Sequence, residues 1–170
     1  MKFNFQAFSA IYLHEMDRFK RTLMQSLFSP VLSTSLYFIV FGSVIGGYVE
    51  NIDGISYGSY IVPGLLMLTL LTQSISNTSF GIFFPKFNGT IYEILAAPIS
   101  TFEIVLAFVG AGATKTLIVG IVIFVTSTFF VEVRVMYPLL MIFLLVLVAF
   151  TFALFGFLIG LMSSNFEQMS

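Results

Sequence analysis

Long apolar runs, set off by small clusters of charge, give this chain its pattern. Between Arg21 and Glu50 lie 28 uncharged residues, between Asp53 and Lys86 there are 32, and between Arg134 and Glu167 another 32. A shorter run of 16 separates Lys115 from Glu132. A helix needs about 20 mostly apolar residues to cross a hydrocarbon core of about 30 Å, so three runs are ample. The fourth suffices if its flanking side chains reach back toward the headgroups. The pattern predicts four spans, at 25–49, 58–84, 113–132 and 137–162. The runs are too long for barrel strands and lack their alternation.

Before the first span, residues 3–23 follow a helical period. Phe5, Phe8, Tyr12, Met16, Phe19 and Leu23 form one stripe at steps of three and four, as in an amphipathic helix lying in a membrane interface. Glu15, Asp17, Arg18 and Arg21 read as off the stripe, with Glu15–Arg18 and Asp17–Arg21 at pairing distance. Such a helix serves equally as a surface anchor or as a docking surface for a partner. The single histidine, His14, has no second ligand nearby and reads as a solvated helix position, so no metal site is expected.

Composition confirms the membrane class. Of 170 residues, 58% are hydrophobic and 9% charged, with a mean hydropathy of +1.04. Soluble domains run at about 45–50% apolar and about 25% charged. The net charge of −1 offers no basic patch for nucleic acid, and the absence of cysteine excludes disulfides and thiolate metal sites. Lys2, Arg18, Lys20, Arg21, Lys86 and Lys115 fall on one side of the four-span topology and only Arg134 on the other. The N-terminus is therefore expected in the cytoplasm. Tyr48, Tyr57, Tyr60 and Tyr137 then mark the outer interface.

Two further patterns carry candidate chemistry. In the second span Thr69, Thr72, Gln73, Ser76 and Ser79 share a face, which Ser74, Asn77 and Thr78 broaden. Polar groups there must meet protein or water, so Thr69, Gln73, Ser76 and Asn77 are candidates for a translocation path; hydrogen bonding between helices is the structural alternative. The second pattern is the cytoplasmic region 85–112. Thr90 and Glu93 are spaced as a capping box for a short helix that Pro98 would stop, a knob suited to a soluble partner. Gly42-xxx-Gly46, Gly156-xxx-Gly160 and the Gly112–Thr116–Gly120 row are close-packing signals without functional content.

Enzyme motifs fail. Gly110-Ala-Gly-Ala-Thr-Lys115-Thr116 has Thr114 where a phosphate-binding loop needs glycine, and no strand precedes it. No hydrolase signature occurs, and the spans hold no acid to pair with another.

The order of these features resembles the membrane subunit of an ABC-2 type transporter, in particular bacterial inner-membrane export permeases. Gly89-Thr90-Ile91, Glu93, Leu95, Pro98 and Ser100 match that family's inner-loop pattern, and Pro63-Gly64 within Tyr57–Leu68 resembles its second-span start. The resemblance implies an all-α polytopic bundle in a bacterial inner membrane, built as one domain over 1–170. Gly89, Thr90, Ile91, Tyr92, Glu93, Leu95 and Pro98 would form a coupling helix for a separate ABC ATPase subunit. Phe5, Phe8, Tyr12, Met16, Arg18, Phe19 and Arg21 would belong to the interface helix beside it. ATP and magnesium would bind the ATPase, leaving this chain a non-enzymatic subunit without a cofactor of its own. A second permease copy, as a homodimer, and membrane lipids would complete the assembly. The family carries six spans against four here, so the sequence reads as a truncated domain. A tetraspan scaffold without transport, or a gradient-driven carrier, are the competing readings; a carrier would ordinarily hold an ionisable group at the bilayer midplane.

Overall fold

A computed structural model describes residues 3–45, 55–133, 135–165 and 168. Its helices are α1 (Phe5–Arg21), α2 (Leu23–Tyr37), α3 (Tyr57–Asn88), α4 (Ile91–Ala96), α5 (Thr101–Ser127) and α6 (Pro138–Met162); α2 continues in a π-helical stretch over Phe38–Ile45. Among the described residues four segments are long and apolar enough to cross a membrane: Leu23–Phe41, Tyr57–Asn88, Thr101–Ser127 and Pro138–Met162. The expectations for Gly46, Tyr48, Asp53 and Arg134 fall outside the described residues.

Three helices form the core. Ile82 from α3, Ile104, Phe108, Val109 and Ala113 from α5, and Ala149, Ala153 and Phe157 from α6 are buried together. Cross-contacts fix the directions. Ser74 donates to the Ala149 carbonyl and Lys86 to the Leu161 carbonyl, so α3 and α6 run parallel. Asn77 bonds Thr116 while Gly81 abuts Phe108, so α3 and α5 are antiparallel. Tyr57, Tyr60 and Tyr137 consequently gather at one end of the bundle, where Ser59 also donates to the Glu132 carbonyl.

Small residues permit the close packing. A Cβ at Gly156 would lie 2.5 Å from the Ile75 carbonyl oxygen, and one at Gly160 would lie 2.5 Å from that of Ser79. Without a water-driven hydrophobic effect inside lipid, such backbone approach supplies much of the helix–helix attraction. Gly112 and Gly120 play the same part between α5 and Thr78 and Leu70 of α3.

Helix boundaries differ from the periodicity in an informative way. α3 runs through Pro85 to Asn88 and ends where Gly89 turns left-handed at φ 80°, a conformation glycine adopts without a Cβ penalty. α5 begins at Thr101, well before the expected start at 113, and ends at Ser127, before 132. The expected 85–112 loop is thus largely helical. At about 1.5 Å per residue, α3 and α5 are about 48 and 40 Å long, beyond the roughly 30 Å hydrocarbon core. Each is longer than the hydrocarbon core alone, and the ends with Lys86, Asn88 and Glu103 lie together.

Gly156 and Gly160 are positions where added volume meets backbone. Gly160→Val should destabilise the protein by about 1–3 kcal/mol. Gly64→Ala, at a site with no atom within 4 Å of the new Cβ, should be neutral or slightly stabilising. Thermal unfolding of the purified variants in detergent checks both; equal melting points would remove the close-packing role.

Candidate functional site

The N-terminal helix carries a buried carboxylate that meets two cations. Glu15 is 2% exposed and Lys115, near the middle of α5, is 3% exposed. Lys115 Nζ donates to Glu15 Oε2 at 2.7 Å, and Arg18 Nη2 reaches the same oxygen at 2.8 Å. An isolated ammonium among apolar helices would be costly, so a carboxylate must accompany it. Gly81 of α3 provides the room: a Cβ there would lie 3.4 Å from Glu15 Oε2.

This corrects two expectations. Glu15 is on the buried face, in sequence with Tyr12 and Phe19 at steps of three and four, and does not lie off the stripe. The helix as a whole packs along α5. Asn4 meets Glu103, Tyr12 donates to Thr114 Oγ1 at 3.0 Å, and Glu15 meets Lys115. These partner numbers rise together, so α1 runs parallel to α5 and along it. Within the stripe Phe19 is buried, Phe8, Tyr12 and Met16 are half-buried, and Phe5 is exposed. Asp17 pairs with Lys20 at 2.9 Å, in place of Arg21; the Lys20 hydrogen bond and charge hold its carboxyl below the usual range.

A capping box is present, but at a different helix. Thr90 adopts helical backbone angles (φ −66°, ψ −15°), where an N-cap residue needs extended ones, and its hydroxyl donates to the Pro85 carbonyl. Thr90 therefore helps close α3, and Glu93 caps nothing. Ser100, at φ −78° and ψ 151°, accepts from Glu103 N at 3.3 Å, while Glu103 Oε2 accepts from Ser100 N at 2.7 Å. The other Glu103 oxygen accepts from Asn4 N, tying the start of α1 to the start of α5. The Ser100-x-x-Glu103 spacing ahead of an apolar run was a readable signal for this box.

The knob itself is two-sided. Ile91 and Ile94 pack toward the core, whereas Tyr92 (73% exposed), Glu93 and Leu95 face outward. Of the expected coupling residues, Tyr92, Glu93 and Leu95 form the free face, Gly89 and Thr90 shape the turn, and Pro98 follows the helix end. Pro98 also lends its carbonyl to the Asn4 side chain. Phe102, 69% exposed, borders the same end of the bundle.

The polar stripe of α3 divides. Ser74, Thr78 and Ser79 are buried. Thr69 and Gln73 are half-buried, Thr69 returning its hydroxyl to the Leu65 carbonyl at 2.8 Å. Ser76 and Asn77 line a cleft of about 210 Å³ together with Arg18, Phe19, Thr22, Ser26, Phe80 and Lys115. Gly110–Thr116 lies inside α5 as regular helix, with its lysine engaged by Glu15. Among the described residues no group of His, Asp and Glu is arranged to hold a metal ion.

The chain matches the ABC-2 type transporter family over residues 6–170, and it belongs to that family. It is similar to the inner membrane transport permease YadH of Escherichia coli strain K12, at 38% identity over 96% of this chain and 64% of the relative. The proteins of that name from Escherichia coli O157:H7 and Shigella flexneri match with the same identity and coverage. The chain thus spans just under two thirds of the length of these curated relatives. No solved structure matches it significantly.

The shared carboxylate predicts unequal costs. Glu15→Gln strands two cations and should cost about 3–5 kcal/mol. Lys115→Met leaves Glu15 with Arg18 and should cost less, and the double variant should recover much of the Glu15→Gln loss. Denaturant unfolding in detergent measures the cycle. Additive single losses would mean that the two residues are not coupled.

Proposed function

We propose that this chain is the membrane-spanning part of a permease in an ATP-driven exporter, and that α4 docks a separate ATPase subunit. The observation that carries this reading is the outward face of α4. Tyr92 and Leu95, with Phe102 close by in sequence, present large apolar side chains at the end of helices longer than the hydrocarbon core. Lipid does not cover apolar surface there, so a protein partner is the natural occupant. Glu93 adds a charge that can fix the register of docking. Family membership supports an ATPase partner, and the name of the relatives supports a permease in an inner membrane.

In this reading the N-terminus and the α3–α5 connection face the cytoplasm, in keeping with six basic residues on that side against one. Two copies pair, and Thr69, Gln73, Ser76 and Asn77 border the translocation path. Nucleotide binding and hydrolysis belong to the partner. A push on α4 is delivered through the Ile91 and Ile94 contacts to the core and through the Ser100–Glu103 cap to α5. A gradient-driven carrier would need an ionisable group free to change its charge during transport. Lys115 is held by Glu15 at 2.7 Å, which weighs against that alternative.

The test uses the complete permease co-purified with its ATPase. Glu93→Lys and Tyr92→Ala should each reduce ATPase recovery or its stimulated turnover at least tenfold while the melting temperature of the permease is unchanged. Variants that retain and stimulate the ATPase like the parent would overturn the docking role of α4.

A further inference from the structure

The cleft between α1, α2, α3 and α5 has an unbalanced charge. Lys115 and Arg18 line it and bring two positive charges, and Glu15, paired with both from behind the wall, brings one negative. The triad is therefore left with a net charge of +1, partly withdrawn from water: the Glu15 and Lys115 side chains are 3% and 4% exposed, and Arg18 is 32% exposed. A cationic excess in such a setting is stabilised by an anion close by.

The wall chemistry favours an anion as well. Glu15 Oε2 takes one hydrogen bond from each cation, which leaves further N–H groups on the Arg18 fork and on the Lys115 ammonium. Ser26, Ser76 and Asn77 add hydroxyl and amide donors around the same space. No carboxylate lines the cleft; Glu15 stands behind its two cations, with Oε2 against both. At about 210 Å³ the cleft is smaller than the roughly 300–1,000 Å³ of sites that enclose whole organic ligands. It has room for a headgroup-sized ion, with any attached chains outside. Phe19 and Phe80, the latter 45% exposed, give the cleft an apolar side as well.

We infer that this cleft is a binding site for a phosphate-type anion, either the phosphodiester of an anionic membrane lipid or free inorganic phosphate. Arg18 is its principal ligand, because its planar fork matches phosphate oxygens and its charge is the one in excess. The inference rests on the cleft and its charges and is independent of the transport reading.

Arg18→Gln removes the excess charge and leaves the Glu15–Lys115 pair intact, so it is the informative variant. Ser76→Leu, which intrudes on the cleft from an exposed position, is the second. Native mass spectrometry of the detergent-purified protein, mixed with equal amounts of phosphatidylglycerol and phosphatidylcholine, counts the lipid retained. The parent should hold phosphatidylglycerol at least tenfold over phosphatidylcholine, and both variants should lose that preference while their melting temperatures stay within a few degrees of the parent. If the site takes the free ion, inorganic phosphate alone should raise the melting temperature of the parent and not that of Arg18→Gln. Equal retention of the two lipids by the parent with no effect of phosphate would overturn the inference. So would a phosphatidylglycerol preference that survives in both variants.

Discussion

A charged side chain inside a helical membrane bundle must bring its counter-charge with it, and in this protein that requirement organises the N-terminal half. Lys115 interrupts α5 close to its middle. No other span supplies an acid, and the partner comes from α1, exactly one hundred residues earlier in the chain. The pairing holds α1 along α5, makes Gly81 the permitted residue on the facing side of α3, and leaves Arg18 at the edge of a polar cleft. Glu103 repeats the theme at the end of the bundle that holds α4, where one carboxylate closes the α5 cap and receives the backbone of Asn4.

The remaining bundle is held by shape. Gly156 and Gly160 admit the backbone of α3 against α6, and Gly112 and Gly120 admit its side chains against α5. On the buried face of α3, Ser74 is matched by the Ala149 carbonyl and Ser79 by the Ser76 carbonyl, while the Thr78 hydroxyl is left without a partner. The outer faces of α2 and α6 remain apolar, suited to lipid or to further helices. This division leaves two parts of the surface with distinct chemistry, the cationic cleft and the outward side of α4.

The long uncharged runs made four spans readable, and the Gly156-xxx-Gly160 spacing marked a close-packed face of α6 without naming α3 as its partner. Helix ends were harder. Hydropathy marks where a helix enters lipid, and α3 and α5 continue past that point, so residues 101–112 looked like loop. Thr90 and Glu93 had the spacing of a capping box, but Gly89 and Pro85 commit Thr90 to closing the preceding helix; Ser100 and Glu103, with the same spacing, form the box. Glu15 was masked by its charge. Its position between Tyr12 and Phe19 placed it on the buried stripe, and only the need of Lys115 for a partner explains why an acid stands there.

The central claim is that α1 is fastened to α5 as one unit. It is tested most directly by the distance between spin labels at Ala10 and Thr101, two exposed positions in a cysteine-free chain. Pulsed dipolar spectroscopy on the protein in lipid nanodiscs should give one narrow distance distribution, and Glu15→Gln should broaden it. A broad distribution in the parent, unchanged by Glu15→Gln, would show α1 moving independently of α5 and would contradict the account.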